Sequence, residues 1–284
     1  MLSKAEDSAR TAAISLIDKI RPRGECEFVH DFSKIVPIVG LMTLIDLPVD
    51  DLDHLMSIAG KLTPRDPESP QYWAKISDYV RGRIEVRRSE PCDDYISSLF
   101  GATVYGREIT NQEIFDMALM LIAGGLDTVA IALSFAASFL AQSPSHRRQL
   151  IENPSLVDQA SEELMRRFGI ANVGRVAAKD VEINGATIKA GESVILLYPL
   201  AGLDERANNQ PLTVDFNRSG GRHLLFGTGI HTCVGNRLAK RELRLFLREW
   251  LARIPEFRIA PGTTPKVHSG VLNEIEELRL VWNN

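Results

Sequence analysis

One apolar stretch constrains what this chain can fold into more than any other feature. From Met117 to Ala141, 25 successive residues carry a single charge, that of Asp127. A stretch of this length forms either a membrane-spanning helix or the central helix of a large apolar core. Gly124 and Gly125 near its centre, and the lack of a basic flank of the positive-inside kind, favour the core helix. We therefore expect a mainly α protein built around this segment.

Composition narrows the class of protein further. With 284 residues, 44% of them hydrophobic, the chain is long enough to bury a sizeable core as a single domain over residues 1–284. A net charge of −4 gives no electrostatic case for binding nucleic acid. The N-terminal residues have no continuous apolar core, which argues against a signal peptide or membrane anchor. Three scattered cysteines, Cys26, Cys92 and Cys233, fit a reducing compartment, and we expect a cytoplasmic protein.

Apolar periodicity and turn signals define the expected elements. Thr110 and Glu113 form the capping-box pattern at the start of the long helix. Helices are predicted over residues 4–20, 31–46, 50–62, 71–89, 111–142, 155–168 and 235–254. Strands are predicted only within 181–188 and 193–197, with a loop over 101–109 and a turn cluster over 63–70.

The segment FGTGIHTCVG, residues 226–235, places one cysteine on a glycine-rich loop before a helix. Gly227 and Gly229 permit a tight loop that lies flat against a planar group. The sulfur of Cys233 would lie beside the positive end of the following helix, where a thiolate is stabilised, so this residue is a candidate metal ligand. The alternatives are an inert buried thiol and a nucleophilic dyad with His231. Zinc is disfavoured because the chain has no CxxC or HExxH motif.

Two further pairs of polar residues stand on predicted helices. Asp127 and Thr128 are adjacent in the apolar stretch, where an unpaired carboxylate is costly to bury and therefore needs a role. Their alternative is a helix kink capped by a polar pair. Glu163 and Arg166 lie three residues apart on one helical face and can pair directly, either at the surface or as a buried structural pair.

Taken together, FxxGxxxCxG, AGGLDT over 123–128 and ExxR over 163–166 resemble, in this order, the signatures of the cytochrome P450 family. The segments GLDTV, EELMRRF and AGLDERAN resemble the bacterial camphor monooxygenase and its relatives, from about residue 8 to the C-terminus. This resemblance implies the P450-type helical fold with a small β component. Against the family the chain looks N-terminally shortened and lacks the first helices.

The resemblance implies a site for haem b, iron protoporphyrin IX, with Cys233 as the iron ligand. Phe226, Gly227 and Gly235 would form the loop against it, while His231 and Arg175 would bind its propionates. Val173 departs from the camphor-type relatives, which carry an acid at this place.

On the other side of the haem, Gly124 would make room for O2, Thr128 would hydrogen-bond the bound oxygen, and Asp127 would relay protons. Glu163 and Arg166 would form a structural pair behind the cysteine loop. The usual third member, an arginine between Asp204 and Arg218, is not identified by spacing, and Thr213 falls near the expected place.

The implied activity is mono-oxygenation of a small apolar, terpenoid-like substrate with O2. Ala123, Gly124, Val271 and Leu272 are the pocket candidates. The chain has no dinucleotide fingerprint, so electrons would come from a separate protein, by resemblance a [2Fe–2S] ferredoxin. Its docking candidates are the basic residues at the start of the last long helix: Arg237, Lys240, Arg241 and Arg244. Two alternatives stay open: a haem-binding protein without turnover, and a haem-free helical remnant. Peroxide-driven oxygenation is disfavoured because it has no need of the Asp127–Thr128 pair.

Overall fold

The computed structural model describes residues 1–62 and 66–283, and the start of the turn cluster predicted at 63–70 lies outside this part of the chain. The fold is mainly helical, as expected. The helices are α1 Leu2–Ile20, α2 Ile35–Leu44, α3 Leu52–Ile58, α4 Ser69–Ser89, α5 Tyr95–Leu99, α6 Asn111–Gly125, α7 Thr128–Gln142, α8 Pro144–Glu152, α9 Val157–Arg167, α10 Tyr198–Gly202 and α11 Asn236–Arg253. Short 3-10 or π turns precede α2, α3, α9 and the cysteine.

The strands are short and pair only in the antiparallel sense. They are β1 Glu25–Glu27, β2 Thr103–Val104, β3 Arg107–Glu108, β4 Asn172–Val176, β5 Val181–Ile183, β6 Ala186–Ile188, β7 Ser193–Leu197, β8 Arg258–Ile259, β9 Lys266–His268, β10 Glu274–Glu277 and β11 Arg279–Val281. β1, β11 and β8 form one sheet, and the others pair as β2–β3, β4–β7, β5–β6 and β9–β10.

The prediction that strands occur only within 181–197 was wrong. The expected loop over 101–109 is the hairpin β2–β3, whose turn residues Tyr105 and Gly106 both have positive φ. Strands of two to five residues are too short to show an alternating apolar pattern, so the sequence carries no periodic signal for them. Some of them also pair with strands far away along the chain, as for Cys26 of β1 opposite Leu280 of β11.

The central apolar stretch is helical, as predicted, but it breaks into two helices. α6 ends at Gly125 and α7 begins at Thr128. The Thr128 hydroxyl donates to the Gly124 carbonyl oxygen at 2.9 Å, and a Cβ on Gly125 would lie 2.9 Å from the Leu41 side chain. The stretch 111–142 meets the length and hydropathy criteria of a membrane span, and half of its most apolar window is buried inside the protein.

The helix break joins two apolar cores. Leu126 belongs to a core formed with α2, α3 and α4, whereas Leu133 and the later buried residues of α7 belong to a core formed with α1, α9 and α11. Trp250 of α11 is fully buried in the second core, with Phe28 and Phe32 both edge-on to it at ring-centroid distances of 5.0 and 5.1 Å. This packing fixes α11, so the loop that precedes it projects from a rigid helix.

Candidate cofactor site

The cysteine loop is shaped by one backbone hydrogen bond and one close glycine contact. The Cys233 amide donates to the Phe226 carbonyl oxygen at 2.8 Å and closes the loop. Gly227 has φ +66°, and a Cβ there would lie only 2.7 Å from the His231 carbonyl oxygen. Gly229 has φ +62° but faces open space. The loop therefore requires glycine at position 227 for packing as well as for backbone conformation.

The structure exposes the thiol of Cys233 rather than burying it. Cys233 is an exposed, unpaired cysteine three residues before Asn236, the first residue of α11, with Gly235 at the helix N-cap. This overturns the alternative of an inert core thiol. His231 is also exposed, and among the described residues no hydrogen bond joins it to Cys233, so the geometry gives no support to a nucleophilic dyad.

Behind the loop lies a buried ion-pair cluster formed by Glu163, Arg166 and Arg218. Arg166 donates from Nε and Nη2 to the two Glu163 carboxylate oxygens at 2.7 and 2.8 Å, and these two side chains are 1% and 3% exposed. Arg218 Nε lies 3.0 Å from both of those oxygens. Burial raises the pKa of Glu163, but hydrogen bonds from Arg166, the Asp215 amide and Arg218 outweigh it and bring the pKa below its usual value.

Arg218 is the third member that spacing did not identify. It stands at the end of the predicted window and reaches Glu163 across 55 residues. Thr213, at the expected place, contributes its carbonyl oxygen, which accepts from both Arg166 and Arg218. The arginines thus fix the backbone of the meander that leads to the cysteine loop.

A second acid ties the loop to α11. Glu162 pairs with Lys240 at 2.8 Å and lies 3.6 Å from His223 Nε2. The Lys240 ammonium also lies 5.6 Å from the centre of the Phe226 ring. Burial raises the pKa of Glu162, but hydrogen bonds from His223 and Lys240 bring it down to about 2, so the acid remains ionised.

At the helix break, Gly124 and Thr128 lie one turn apart and are joined by a hydrogen bond. Gly124 is exposed and Thr128 is half-buried one turn later. Met120, one turn before Gly124, is 55% exposed although it lies in an apolar stretch. Sequence reasoning missed Met120, and its spacing of four residues from Gly124 was the available signal.

Asp127 is the N-cap residue of α7, but its side chain does not cap that helix. It accepts the amide of Gly60 at 2.8 Å instead. Burial raises the pKa of Asp127; the Gly60 amide and the nearby Lys34 ammonium act in the opposite direction, and Glu274 raises it further. The helix break therefore holds a half-buried acid with a raised pKa next to a hydroxyl.

The C-terminal pocket candidates lie beside strand β4. The Asn172 amide donates to the Val271 carbonyl oxygen at 2.8 Å, and Ala171 bridges to Leu272. Val271 is 61% exposed. Arg175 lies on β4, where its guanidinium donates to the Gly174 carbonyl oxygen at 2.8 Å and makes no ion pair with an acid of the described residues.

The basic residues of α11 are less available than their spacing indicates. Lys240 pairs with Glu162, Arg241 with Glu6 at 2.7 Å, and Arg244 with Asp158 at 3.4 Å. Within residues 1–62 and 66–283, Arg237 alone of the four docking candidates makes no ion pair. The start of α11 is therefore a surface of balanced charges rather than a free positive stripe.

Comparisons with known proteins agree with this geometry. The family model described as "Cytochrome P450" matches residues 40–269. The chain is 32% identical over 279 residues to a probable cytochrome P450 127A1 of Sinorhizobium fredii, covering 98% of this chain and 67% of that protein. It is 30% identical over 264 residues to a steroid C26-monooxygenase of Mycobacterium tuberculosis, covering 89% and 71%.

Solved structures are similar throughout the chain. The crystal structure of CYP101J2 matches with a TM-score of 0.92 and 35% identity, and that of CYP101C1 with 0.91 and 38%. Each comparison covers 100% of this chain and 72% of the other. The fold, together with the monooxygenase activities named for its relatives, defines the class of protein as oxidoreductases of the monooxygenase type. The chain belongs to the cytochrome P450 family, and it spans about two thirds of the length of the relatives it matches.

The residues of the site fit the haem that the family implies. An unpaired thiol stands exposed at the head of α11, next to Val234 and Ile230, which are 57% and 95% exposed. Gly227 leaves the space that a Cβ would fill against the loop backbone. Exposed apolar side chains around a thiol, with Arg175 and His231 as donors for carboxylates, suit a large planar apolar group with acidic substituents.

Proposed function

We propose that this chain binds haem b through the sulfur of Cys233 and catalyses mono-oxygenation of a small apolar, terpenoid-like substrate with O2. The observation that carries the proposal is the exposed, unpaired thiol on a closed glycine loop at the head of α11. The buried cluster of Glu163, Arg166 and Arg218 supports the proposal because it fixes the backbone behind that loop.

The residues that would hold the cofactor have distinct tasks. Cys233 would ligate the iron, while Phe226, Gly227 and Gly235 would lie against the macrocycle. Arg175 and His231 would bind its propionates. When bound, haem with a thiolate ligand supplies oxygen activation, since the thiolate donates electron density that favours cleavage of the O–O bond. The protein's own contribution is to orient the reactants, exclude water and move protons.

Proton movement is the task proposed for the helix break. Gly124, with no side chain, would leave room for O2. The Thr128 hydroxyl donates to the Gly124 carbonyl oxygen, and the hydroxyl oxygen retains lone pairs that can accept a hydrogen bond. Asp127 is half-buried beside it, and burial raises the pKa of its carboxyl group, which favours a group that can take up as well as release a proton.

The substrate class follows from the apolar residues on the two sides of the proposed pocket. Met120 and Ala123 stand on the same face of α6 as Gly124, and Val271 and Leu272 lie beside β4. Met120, Ala123, Val271 and Leu272 all have apolar side chains, which favours a substrate without charge. The relatives carry names such as steroid C26-monooxygenase and vitamin D3 dihydroxylase.

We further propose a cytoplasmic protein that takes its electrons from a [2Fe–2S] ferredoxin docking at Arg237, Lys240, Arg241 and Arg244. The three unpaired cysteines suit a reducing compartment. Arg241 and Arg244 hold partly exposed acids of this chain, so an acidic partner would exchange its own carboxylates for those of Glu6 and Asp158.

The experiment is turnover under ¹⁸O2 with a panel of small terpenes, using haem-loaded protein, a [2Fe–2S] ferredoxin and its reductase. We expect one labelled oxygen atom in the product. Product formation should fall in Asp127→Asn, whereas Asp116→Asn, an exposed acid on α6, should leave it unchanged. Haem binding without labelled product would favour a non-catalytic haem protein, and no haem binding a haem-free remnant.

A further inference from the structure

The position of Asp127 is determined by groups outside its own helix. An aspartate at a helix N-cap normally accepts hydrogen bonds from the amides of the first turn. Asp127 makes no such bond, and its Oδ2 accepts the amide of Gly60, 67 residues earlier in the chain, at 2.8 Å. The carboxyl group is therefore held on the side of α3 rather than on that of α7.

Lys34, at the start of α2, is the cation beside this arrangement. Its ammonium nitrogen lies 3.8 Å from the place that a Cβ on Gly60 would occupy. The ion pairs within 4.0 Å in the described part of the chain do not include Lys34. Lys34 is partly buried, and its ammonium group, next to the residue that holds Asp127, acts on that carboxyl group through space.

The charged groups that face Asp127 act in opposite directions. Lys34 near the start of α2 and the Gly60 amide after α3 favour the carboxylate, whereas burial and Glu274 of β10 favour the neutral acid. A group that takes up and releases a proton in each cycle works best when its two forms are close in free energy. Burial favours the neutral acid, and Lys34 offsets part of that effect.

We propose that Lys34 is a positioning residue for Asp127: together with the Gly60 amide it holds the half-buried side chain turned away from the first turn of α7 and favours its ionised form. Asp127 then stands ready to accept a proton from water. This inference relies on the proposed function only in assigning proton transfer to Asp127. The electrostatic link between the two residues is independent of turnover.

The test is infrared titration of the Asp127 carboxyl group in the full chain. Each variant is measured with Asp127 and with Asp127→Asn. The difference between the two spectra shows the C=O stretch of the protonated Asp127 as a function of pH. In Lys34→Met the midpoint of the Asp127 titration should move to higher pH, and the proton affinity of Asp127 should increase about tenfold, because a nearby positive charge is lost. Lys61→Met is the matched control, since Lys61 is next to Gly60 but pairs with Asp66 at 3.2 Å.

A titration midpoint that is the same in Lys34→Met and Lys61→Met would overturn the inference. Lys34→Arg should restore the wild-type midpoint, whereas a purely structural role for Lys34 would not depend on its charge. If Lys34→Met fails to fold, Lys34→Gln gives the same test with a polar side chain. In the haem-loaded enzyme, Lys34→Met should divert more electrons to hydrogen peroxide than Lys61→Met does. Failure of all variants to oxygenate any terpene would count against the proposed function, while the infrared titration would still decide the role of Lys34.

Discussion

Arg218 meets Glu163 across 55 residues, with its Nε 3.0 Å from both oxygens of a carboxylate that is otherwise held by Arg166. This contact turns a helical i, i+3 pair into a buried three-residue cluster that anchors the meander before the cysteine loop. Removing one member leaves a buried charge with fewer partners, which costs far more than losing a surface ion pair.

Arg218→Ala should therefore lower the free energy of unfolding by about 3 kcal/mol. The physical reason is that Glu163 stays buried while losing one of its two cations. Urea unfolding followed by circular dichroism measures the change. Arg206→Ala is the control in the same meander, because Arg206 pairs with Asp204 at the exposed surface and should change little. Equal effects of the two substitutions would show that the cluster does not anchor the meander.

Two glycines of the cysteine loop should respond differently to alanine. In Gly227→Ala the new Cβ would meet the His231 carbonyl oxygen at 2.7 Å, so the loop must shift and haem retention should be lost. In Gly229→Ala the Cβ enters open space, and only the backbone strain of positive φ, about 1 kcal/mol, is expected. Haem content after purification distinguishes the two variants. Equal haem retention would mean that the close contact at Gly227 does not shape the site.

Glu242 on α11 should make stability depend on pH. Its side chain is fully buried, neither carboxylate oxygen has a hydrogen-bond partner in the described structure, and burial raises its pKa well above the usual value. As pH rises above the ordinary carboxyl range, the unfolded chain releases this proton while the folded chain keeps it. The free energy of unfolding should therefore fall with rising pH until the raised pKa is passed.

Glu242→Gln should remove that contribution and flatten the pH dependence between mildly acidic and mildly alkaline conditions. Urea unfolding over a series of pH values measures it. Glu249→Gln, on the same helix but paired with Arg10 and Arg253, is the comparison that should keep the slope. An unchanged slope in Glu242→Gln would contradict the assignment of a buried neutral acid.

The ion pairs at the start of α11 predict which of its basic residues contributes most to the rate of reduction by an acidic electron donor. Arg237 makes no ion pair in the described residues, whereas Arg241 already holds Glu6. Arg237→Glu should therefore slow reduction by an acidic ferredoxin more than Arg241→Glu does, and the difference should shrink at high salt. Stopped-flow reduction rates at two ionic strengths decide this, and the reverse ranking would contradict the proposed docking surface.

Features carried by local sequence could be predicted. The capping box of Thr110 and Glu113, the course of α4, and the loop before α11 all depend on residues close together in the chain, and the structure has them. The pairing of Glu163 with Arg166 follows from helical spacing alone. That this pair is buried was expected only from the family resemblance.

Features that depend on distant contacts could not be predicted. The helix break at Asp127 and Thr128 was one of the two interpretations of the sequence, and the structure has it. The approach of the Leu41 side chain to Gly125, in contrast, leaves no periodic pattern in the sequence. Arg218 finds Glu163 only after the meander has folded. Lys34 at the start of α2 and Gly60 after α3 lie close to Asp127, and a single sequence contains no signal for such long-range contacts.

The central claim is that the Cys233 sulfur is the haem ligand, and its most direct test is the absorption spectrum of the reduced protein under carbon monoxide. The wild-type chain and Cys92→Ser, which changes the other exposed cysteine, should both show the strongly red-shifted Soret band of a thiolate ligand. Cys233→Ser should lose that band. Persistence of the red-shifted band in Cys233→Ser would contradict the account.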